Sequence, residues 1–308
     1  MFNSKNKKWK GIVPAMISPF TDKGEIDIEG ARRLVEYIIG SGGHGLFALS
    51  STGEYFSLTD DQKEVLLKTV VNQTKKRVPI YAGASSNSLK IVISNIDKLC
   101  QWGADAAVII PPSFLTYSQE ELIKYYTSIA RNSPLPIFIY NIPGRTRVNM
   151  EISTLERLSQ EVNIVGTKDT TVDMARFMEL LFHFRQRDDF SLFQGSELLL
   201  APSFIFGGDG AISALANIDP KLHEDIYQAA INKDVEKAYQ LQKKMNLLFT
   251  IFSAVGDYSL SINNFLLGLK VALNLLGICN SYVCQMGRRP KKEEINRVEQ
   301  ILLKRGLL

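Results

Sequence analysis

The sequence is short of the residues that most directly announce a chemistry: among 308 residues there are three cysteines, three histidines and two tryptophans. Cys100, Cys279 and Cys284 make no even disulfide framework, and the last two are too loosely spaced for a zinc knuckle, so buried reduced thiols are expected. His44, His183 and His223 are scattered and share no metal-ligand spacing with nearby carboxylates, so no metal is expected. No apolar run approaches the ~18 residues of a membrane-spanning helix; the longest, around Leu198 to Phe206, contains a proline. The apolar stretch after Lys10 is broken by Pro14 and Pro19 and lacks a small-residue cleavage site, so neither export nor a membrane is expected, and the cytoplasm is the expected location. Neither sign of charge dominates, since 36 Lys and Arg against 32 Asp and Glu leave +4. The surplus lies near the ends, in Lys7, Lys8 and Lys10 and in Arg288, Arg289 and Lys291, which reads as solvated tails and not as a nucleic-acid surface. Low-complexity linkers and short repeats are also missing, which argues against separate modules.

What the sequence does contain is an alternation. Short β-rich runs at 11–18, 45–51, 78–84, 106–112, 136–142, 163–169, 190–196 and 210–215 are separated by amphipathic stretches of helical length, including 28–39, 60–74, 89–102, 119–130 and 171–184. Eight such units are what a closed parallel barrel requires, because each parallel strand must return through a crossover helix. A doubly wound open sheet would announce itself by a glycine-rich phosphate turn after the first strand, and here that strand ends in Ser18-Pro19-Phe20-Thr21-Asp22. Gly207-Gly208-Asp209-Gly210 resembles a phosphate loop only superficially, since it precedes a strand, and reads as a tight turn. Beyond about Lys233 the β signal stops, and 235–252, 260–276 and 292–304 read as helices. The expectation is a (β/α)8 barrel over residues 1–232 and a C-terminal helical region over 233–308.

In such a barrel chemistry sits at the carboxyl ends of the strands, so polar residues that end apolar strands are the candidates. Lys168 closes the sixth run, where an inward ammonium is poorly solvated and desolvation favours the neutral amine, the usual nucleophile toward a carbonyl. The bland alternative is a lysine that snorkels to solvent or pairs with Asp169. Tyr140 lies at the matching end of the fifth run, where its hydroxyl would sit beside Lys168 and relay protons, or would simply pack. Ser51, Thr52 and Gly53 form a hydroxyl-rich turn whose free N–H groups suit a carboxylate, although such turns also cap helices. Arg145, beyond Pro143-Gly144, is placed to hold a second carboxylate or to make an ordinary loop salt bridge.

These segments occur in order: Ser51-Thr52-Gly53-Glu54, Tyr140-Asn141-Ile142-Pro143-Gly144-Arg145-Thr146, Gly166-Thr167-Lys168-Asp169 and Gly207-Gly208-Asp209-Gly210-Ala211-Ile212-Ser213. Together they resemble the dihydrodipicolinate synthase / N-acetylneuraminate lyase family from about Gly11 to the C-terminus. The resemblance implies a (β/α)8 barrel, pyruvate and an aldehyde as small-molecule partners, no metal or cofactor, and a homotetramer or homodimer. It makes Lys168 the Schiff-base lysine, Tyr140 the proton shuttle and Ser51 a catalytic neighbour. Ser51 and Thr52 would then hold the pyruvate carboxylate, with Gly53 and Ile212 also at the substrate and Arg145 on the carboxylate of aspartate semialdehyde. Two departures stand out. Ser113-Phe114 replaces the tyrosine pair that includes a relay supplied across the subunit interface, and Ile91 replaces the acidic residue that grips the inhibitor in lysine-regulated synthases. A 2-keto-3-deoxy sugar acid or N-acetylneuraminate aldolase, and a non-catalytic 2-oxo-acid sensor, are the competing expectations.

Overall fold

The computed structural model describes residues 7–259, 261–284 and 288–308. Each β-rich run holds a shorter strand: β1 (Gly11–Pro14), β2 (Leu46–Ala48), β3 (Ile80–Gly83), β4 (Ala106–Ile109), β5 (Ile137–Asn141), β6 (Ile164–Asp169), β7 (Ser191–Gln194) and β8 (Gly210–Ser213). All are parallel, in the order β1-β8-β7-β6-β5-β4-β3-β2. The barrel closes between β1 and β2, where His44 N–H donates to the Ile12 carbonyl at 2.8 Å, Met16 N–H donates to that of Phe47 at 2.9 Å, and Ala15 bridges Phe47. The strands end early because the chain leaves the ladder to build the mouth. In the second run, for example, Leu49 turns left-handed at φ 55°.

Side chains alternate across the barrel wall as the period of two demands. Val13, Phe47, Tyr81, Phe138, Phe193 and Ile212 fill the interior, while their neighbours Ile12, Leu46, Ile80, Ile139, Leu192 and Ala211 face the helices. Trp9 plugs the lower end through edge contacts with Tyr81 and Phe138, at ring distances of 5.2 and 5.7 Å.

The crossover layer is α1 (Ile28–Gly40), α2 (Asp60–Thr74), α3 (Leu89–Trp102), α4 (Gln119–Asn132), the single turn α5 (Pro143–Thr146), α6 (Ile152–Leu158), α7 (Met174–Phe184), α8 (Leu200–Ile205) and α9 (Pro220–Ile231). Reciprocal capping pairs, Thr59 with Gln62 and Ser118 with Glu121, set the starts of α2 and α4. Helix α7 begins three residues later than the expected 171 because Asp169 holds the Thr171 N–H and Asp173 caps Arg176 N–H at 3.0 Å. The C-terminal region comprises α10 (Val235–Phe249), α11 (Ile251–Ala254), α12 (Ile262–Leu275) and α13 (Lys292–Arg305). The expected helix 235–252 is thus interrupted at Thr250, and Leu260, the expected start of the next, lies outside the described residues. No helix among the described residues is long and apolar enough to cross a membrane.

Two expectations need correction. Lys7 is no solvated tail: its ammonium is buried, donating to Asp209 Oδ2 at 2.8 Å and to the Phe190 carbonyl at 2.7 Å, and so locks the chain's start to the turn before β8. Of the cysteines, Cys279 is buried, Cys284 is partly so, and Cys100 is exposed because it falls on the outer face of α3.

The C-terminal helices are tied to the barrel mouth by a buried ion pair. Lys270 of α12, wholly inaccessible, donates to Glu54 Oε1 at 2.5 Å and to the Tyr282 carbonyl at 2.8 Å, while Cys284 N–H donates to Glu54 Oε2 at 2.7 Å. Burial drives the Glu54 carboxyl up and the Lys270 ammonium down, and each charge opposes the shift of the other. Removing one partner strands the other charge. Lys270→Met is therefore expected to cost about 3–5 kcal/mol of stability, and Glu54→Gln added to it to recover part of that loss, as read by urea denaturation. A Lys270→Met protein as stable as the parent would show that the tie contributes nothing.

Candidate active site

The carboxyl ends of the strands open into a cavity of 850 Å³ whose wall includes Lys168, Tyr140, Ser51, Thr52, Arg145 and Ile212. Lys168 reaches it through an irregularity in β6. The ladder pairs Ile137 with Ile164 but Phe138 with Gly166, and this slip at Val165 resets the alternation. From there Tyr140 pairs with Lys168 and both face inward, while Asn141 pairs with Asp169 and both face outward. Gly166 is required at the slip, because a Cβ there would lie 2.5 Å from the Phe138 ring.

Lys168 is 4% exposed, and its ammonium nitrogen lies 4.0 Å from the centroid of the Tyr140 ring and 5.9 Å from that of Phe47. No carboxylate among the described residues forms an ion pair with it. Asp169 is engaged on the far side of the strand, accepting from Asn141 Nδ2 at 2.9 Å and from Arg176 Nε at 3.0 Å. Neither snorkelling to solvent nor pairing with Asp169 therefore describes this lysine. Tyr140 differs from expectation in one respect: it presents its ring face, and not its hydroxyl, to the amine. On the β7 side, Gly195 leaves the space that the lysine uses, since a Cβ there would lie 3.0 Å from Lys168 Cε.

The turn after β2 is held between two left-handed residues, Leu49 and Glu54, with φ of 55° and 59°. Ser51 and Thr52 face the cavity, and their N–H groups and hydroxyls have no protein partner among the described residues. Gly53 is not in the wall. Its N–H donates to Ser50 Oγ at 3.0 Å and its carbonyl accepts from Ser18 at 2.5 Å, so it shapes the turn and has no N–H to offer a ligand. Arg145 stands exposed on α5 at the wall, without an ion-pair partner among the described residues, which removes the loop salt bridge as its explanation. Ile212 contributes its side chain from β8.

Glu197 was missed. It follows the seventh strand in Gln194-Gly195-Ser196-Glu197 and lines the cavity, so the rule applied to the second, fifth and sixth strands would have found it there too. The apolar upper wall from the C-terminal region, Phe249, Phe252, Tyr258 and Phe265, left no signal, because periodicity marks a buried face without saying what it faces. Phe114 lies outside the cavity wall, 91% exposed at φ 79°. Among the described residues no group of three or more His, Cys, Asp or Glu side chains is placed to hold a metal ion.

A model of the dihydrodipicolinate synthetase family matches residues 8–305. The chain belongs to that family. A 4-hydroxy-tetrahydrodipicolinate synthase of Ruegeria pomeroyi is 36% identical to it over 280 residues, 89% of this chain and 91% of the relative. Among solved structures, dihydrodipicolinate synthase from Bacteroides thetaiotaomicron superposes with a TM-score of 0.91 at 32% identity, over 97% of this chain and 99% of that one. YagE, a prophage protein of the dihydrodipicolinic acid synthase family from E. coli K12 in complex with pyruvate, does so with a TM-score of 0.90 at 26% identity, over 98% and 100%. Membership in the dihydrodipicolinate synthetase family makes the chain a lyase-type enzyme on the barrel described above.

Gly195→Ala is expected to displace the lysine, because the added carbon would lie 2.0 Å from Thr170 Oγ1 and 2.9 Å from the Asp169 carbonyl, which belongs to the rigid strand end. Such overpacking costs roughly 1–3 kcal/mol. Thermal denaturation reads the loss, and an unchanged midpoint would show that the pocket around Lys168 yields more easily than this packing indicates.

Proposed function

We propose that the chain condenses pyruvate with aspartate semialdehyde through a Schiff base on Lys168, the reaction of a 4-hydroxy-tetrahydrodipicolinate synthase. The observation that carries this reading is the Lys168 amine, buried inside the barrel without a carboxylate partner and beside Tyr140. The names of the curated relatives support the substrate pair. In this reading the Ser51 and Thr52 donors receive the pyruvate carboxylate, which fixes the carbonyl carbon for attack by the uncharged amine. Proton transfer from Nζ gives a carbinolamine, whose hydroxyl leaves as water with a proton delivered by Tyr140, forming the protonated imine. That cation draws electrons from the adjacent C–H bond, so a methyl proton passes to the Tyr140 oxygen left deprotonated by the previous step and an enamine forms. The enamine carbon attacks the aldehyde carbon, the aldehyde oxygen takes the proton back from Tyr140, and the imine is re-formed; the substrate's own amine then adds to the imine carbon, closes the ring and expels the Lys168 amine. Arg145 receives the carboxylate of the aldehyde substrate, and Ile212 closes the wall behind the pyruvate.

Borohydride reduction in the presence of pyruvate should fix one added mass on Lys168, and Lys168→Ala should abolish it; a label mapped to another residue sinks the proposal. Tyr140→Phe should lower kcat by ~10²–10⁴-fold if the phenol carries the proton. Arg145→Ala should raise KM for aspartate semialdehyde by about 10–100-fold, the usual worth of a hydrogen-bonded charge, while the yield of the pyruvate adduct stays unchanged. A fall in adduct yield would move Arg145 to the pyruvate half of the cavity.

A further inference from the structure

Behind the cavity wall, Glu197 belongs to a chain of buried polar groups that the reaction above does not use. Its Oε1 accepts from the N–H groups of Ala214 and Leu215 at 2.8 and 3.2 Å and lies 2.9 Å from Ser213 Oγ. Ser213 Oγ is in turn 2.8 Å from His223 Nε2, and His223 Nδ1 is 2.8 Å from the Asp219 carbonyl. Ser213 and His223 are wholly buried. Glu197 reaches the cavity, and its Oε2 has no hydrogen-bond partner among the described residues.

The protons in this chain can be counted. A carbonyl oxygen only accepts, so Nδ1 carries a hydrogen. The two remaining contacts need one proton each, and the serine hydroxyl supplies a single one. The other therefore belongs to His223 or to Glu197. With Oε1 already accepting two backbone N–H groups, every contact is met when an imidazolium donates to Ser213 and the hydroxyl donates to a carboxylate; the reverse, an acid proton on Oε1 with the hydroxyl donating to a neutral ring, weakens those two N–H contacts. The two arrangements have the same net charge and interconvert when one proton moves from Nε2 to Oγ as another moves from Oγ to Oε1. Burial drives His223 toward its neutral form, while Glu197 and Asp219 oppose that shift. The other charged or titratable groups at this junction are Arg305 of α13, paired with Asp219 at 2.8 Å, and Tyr37 of α1, which donates to the adjoining Ile218 carbonyl.

We propose that His223, acting through Ser213, is a positioning residue that shares a proton with Glu197 and holds its outer oxygen toward the cavity, where it selects an acceptor aldehyde bearing a hydrogen-bond donor. This rests on the reading of Lys168 as the pyruvate-binding amine. Pyruvate itself is an unsuitable partner for Glu197, because an anion is repelled by a carboxylate and is better held by the N–H donors of Ser51 and Thr52. An acceptor with both a carboxylate and an ammonium fits Arg145 and Glu197 together, and one with hydroxyls satisfies Glu197 by the same chemistry.

The test pairs pyruvate with three aldehydes: aspartate semialdehyde, which has an ammonium; glyceraldehyde, which has hydroxyls; and succinate semialdehyde, which has neither. Glu197→Gln should lower kcat/KM for the donor-bearing aldehyde that the enzyme prefers by about 10–100-fold and leave succinate semialdehyde nearly unaffected. Ser213→Ala and His223→Gln should shift the same preference in the same direction and move the pH profile of kcat/KM, with the borohydride-trapped pyruvate adduct unchanged. An unaltered preference in Glu197→Gln, or an unaltered preference and pH profile in the other two variants, overturns the proposal. Nitrogen NMR of the three histidine rings provides a readout independent of turnover and of the Lys168 reading. The His223 titration should move in Glu197→Gln and in Ser213→Ala, and a titration that stays in place in both overturns the shared proton even if no pyruvate adduct forms. Ser213→Ala removes one oxygen from the core and so keeps the test available should His223→Gln fail to fold.

Discussion

The site depends on one slipped register. Without the irregularity at Val165, strict alternation would put residues 165 and 168 on opposite faces of the sheet, and the lysine would turn toward the helices. The slip places a cation in an interior otherwise filled by Phe47, Phe138 and Phe193. An amine there exchanges water for the faces of the Tyr140 and Phe47 rings, a weaker substitute for hydration. The neighbouring outward pair has the opposite character: Asn141 and Asp169 are knitted to Arg176 and Met150 by hydrogen bonds that hold the two strand ends in register. The hydrogen-bonded anchors lie on one face of the strands, and the amine and phenol that meet the cavity lie on the other.

The mouth is stabilised by a second, separate device. Glu54 ends the turn that presents Ser51 and Thr52, and its partner Lys270 lies in the C-terminal region. The geometry of the turn is therefore set by a helix more than two hundred residues away in sequence, and the aromatic upper wall of the cavity arrives with that same helical region. This gives the C-terminal helices a part in the site and not only in covering the barrel. The left-handed backbone at Leu49 and Glu54 is the local strain that such an anchor sustains.

Much of this was legible beforehand, and the limits have physical causes. Eight strands were readable because a parallel barrel strand, buried on both faces, leaves a compact apolar run, and α2 and α3 match their expected bounds, α2 starting at the Thr59 cap and α3 ending at the left-handed Gly103. Lys168 and Tyr140 were identifiable because a polar residue closing an apolar run is conspicuous, and their adjacency follows from consecutive parallel strands. Gly53 misled because sequence shows that an N–H exists but not that Ser50 has already claimed it. Lys7 misled because a terminal charge resembles every other terminal charge until Asp209 is placed beside it. Glu54–Lys270 and the Glu197–Ser213–His223 chain were invisible for the same reason: each joins residues by tertiary approach, which no local period encodes.

Phe114 ties these observations together. A family relay tyrosine at that position would have to carry a proton, and an exposed phenyl ring outside the cavity wall has none to carry. The proposed reaction nevertheless needs a proton to leave the carbinolamine region and another to return to the aldehyde oxygen, and each transfer calls for an ionisable group at the cavity wall. Tyr140 on β5 is the group at that wall to which the proposed reaction assigns the proton, while Glu197, just beyond β7, flanks the Lys168 strand on its other side. Phe114 outside the wall leaves Tyr140 as the phenol beside Lys168, and the buried hydrogen bonds behind Glu197 fix that side chain on the strand's other side.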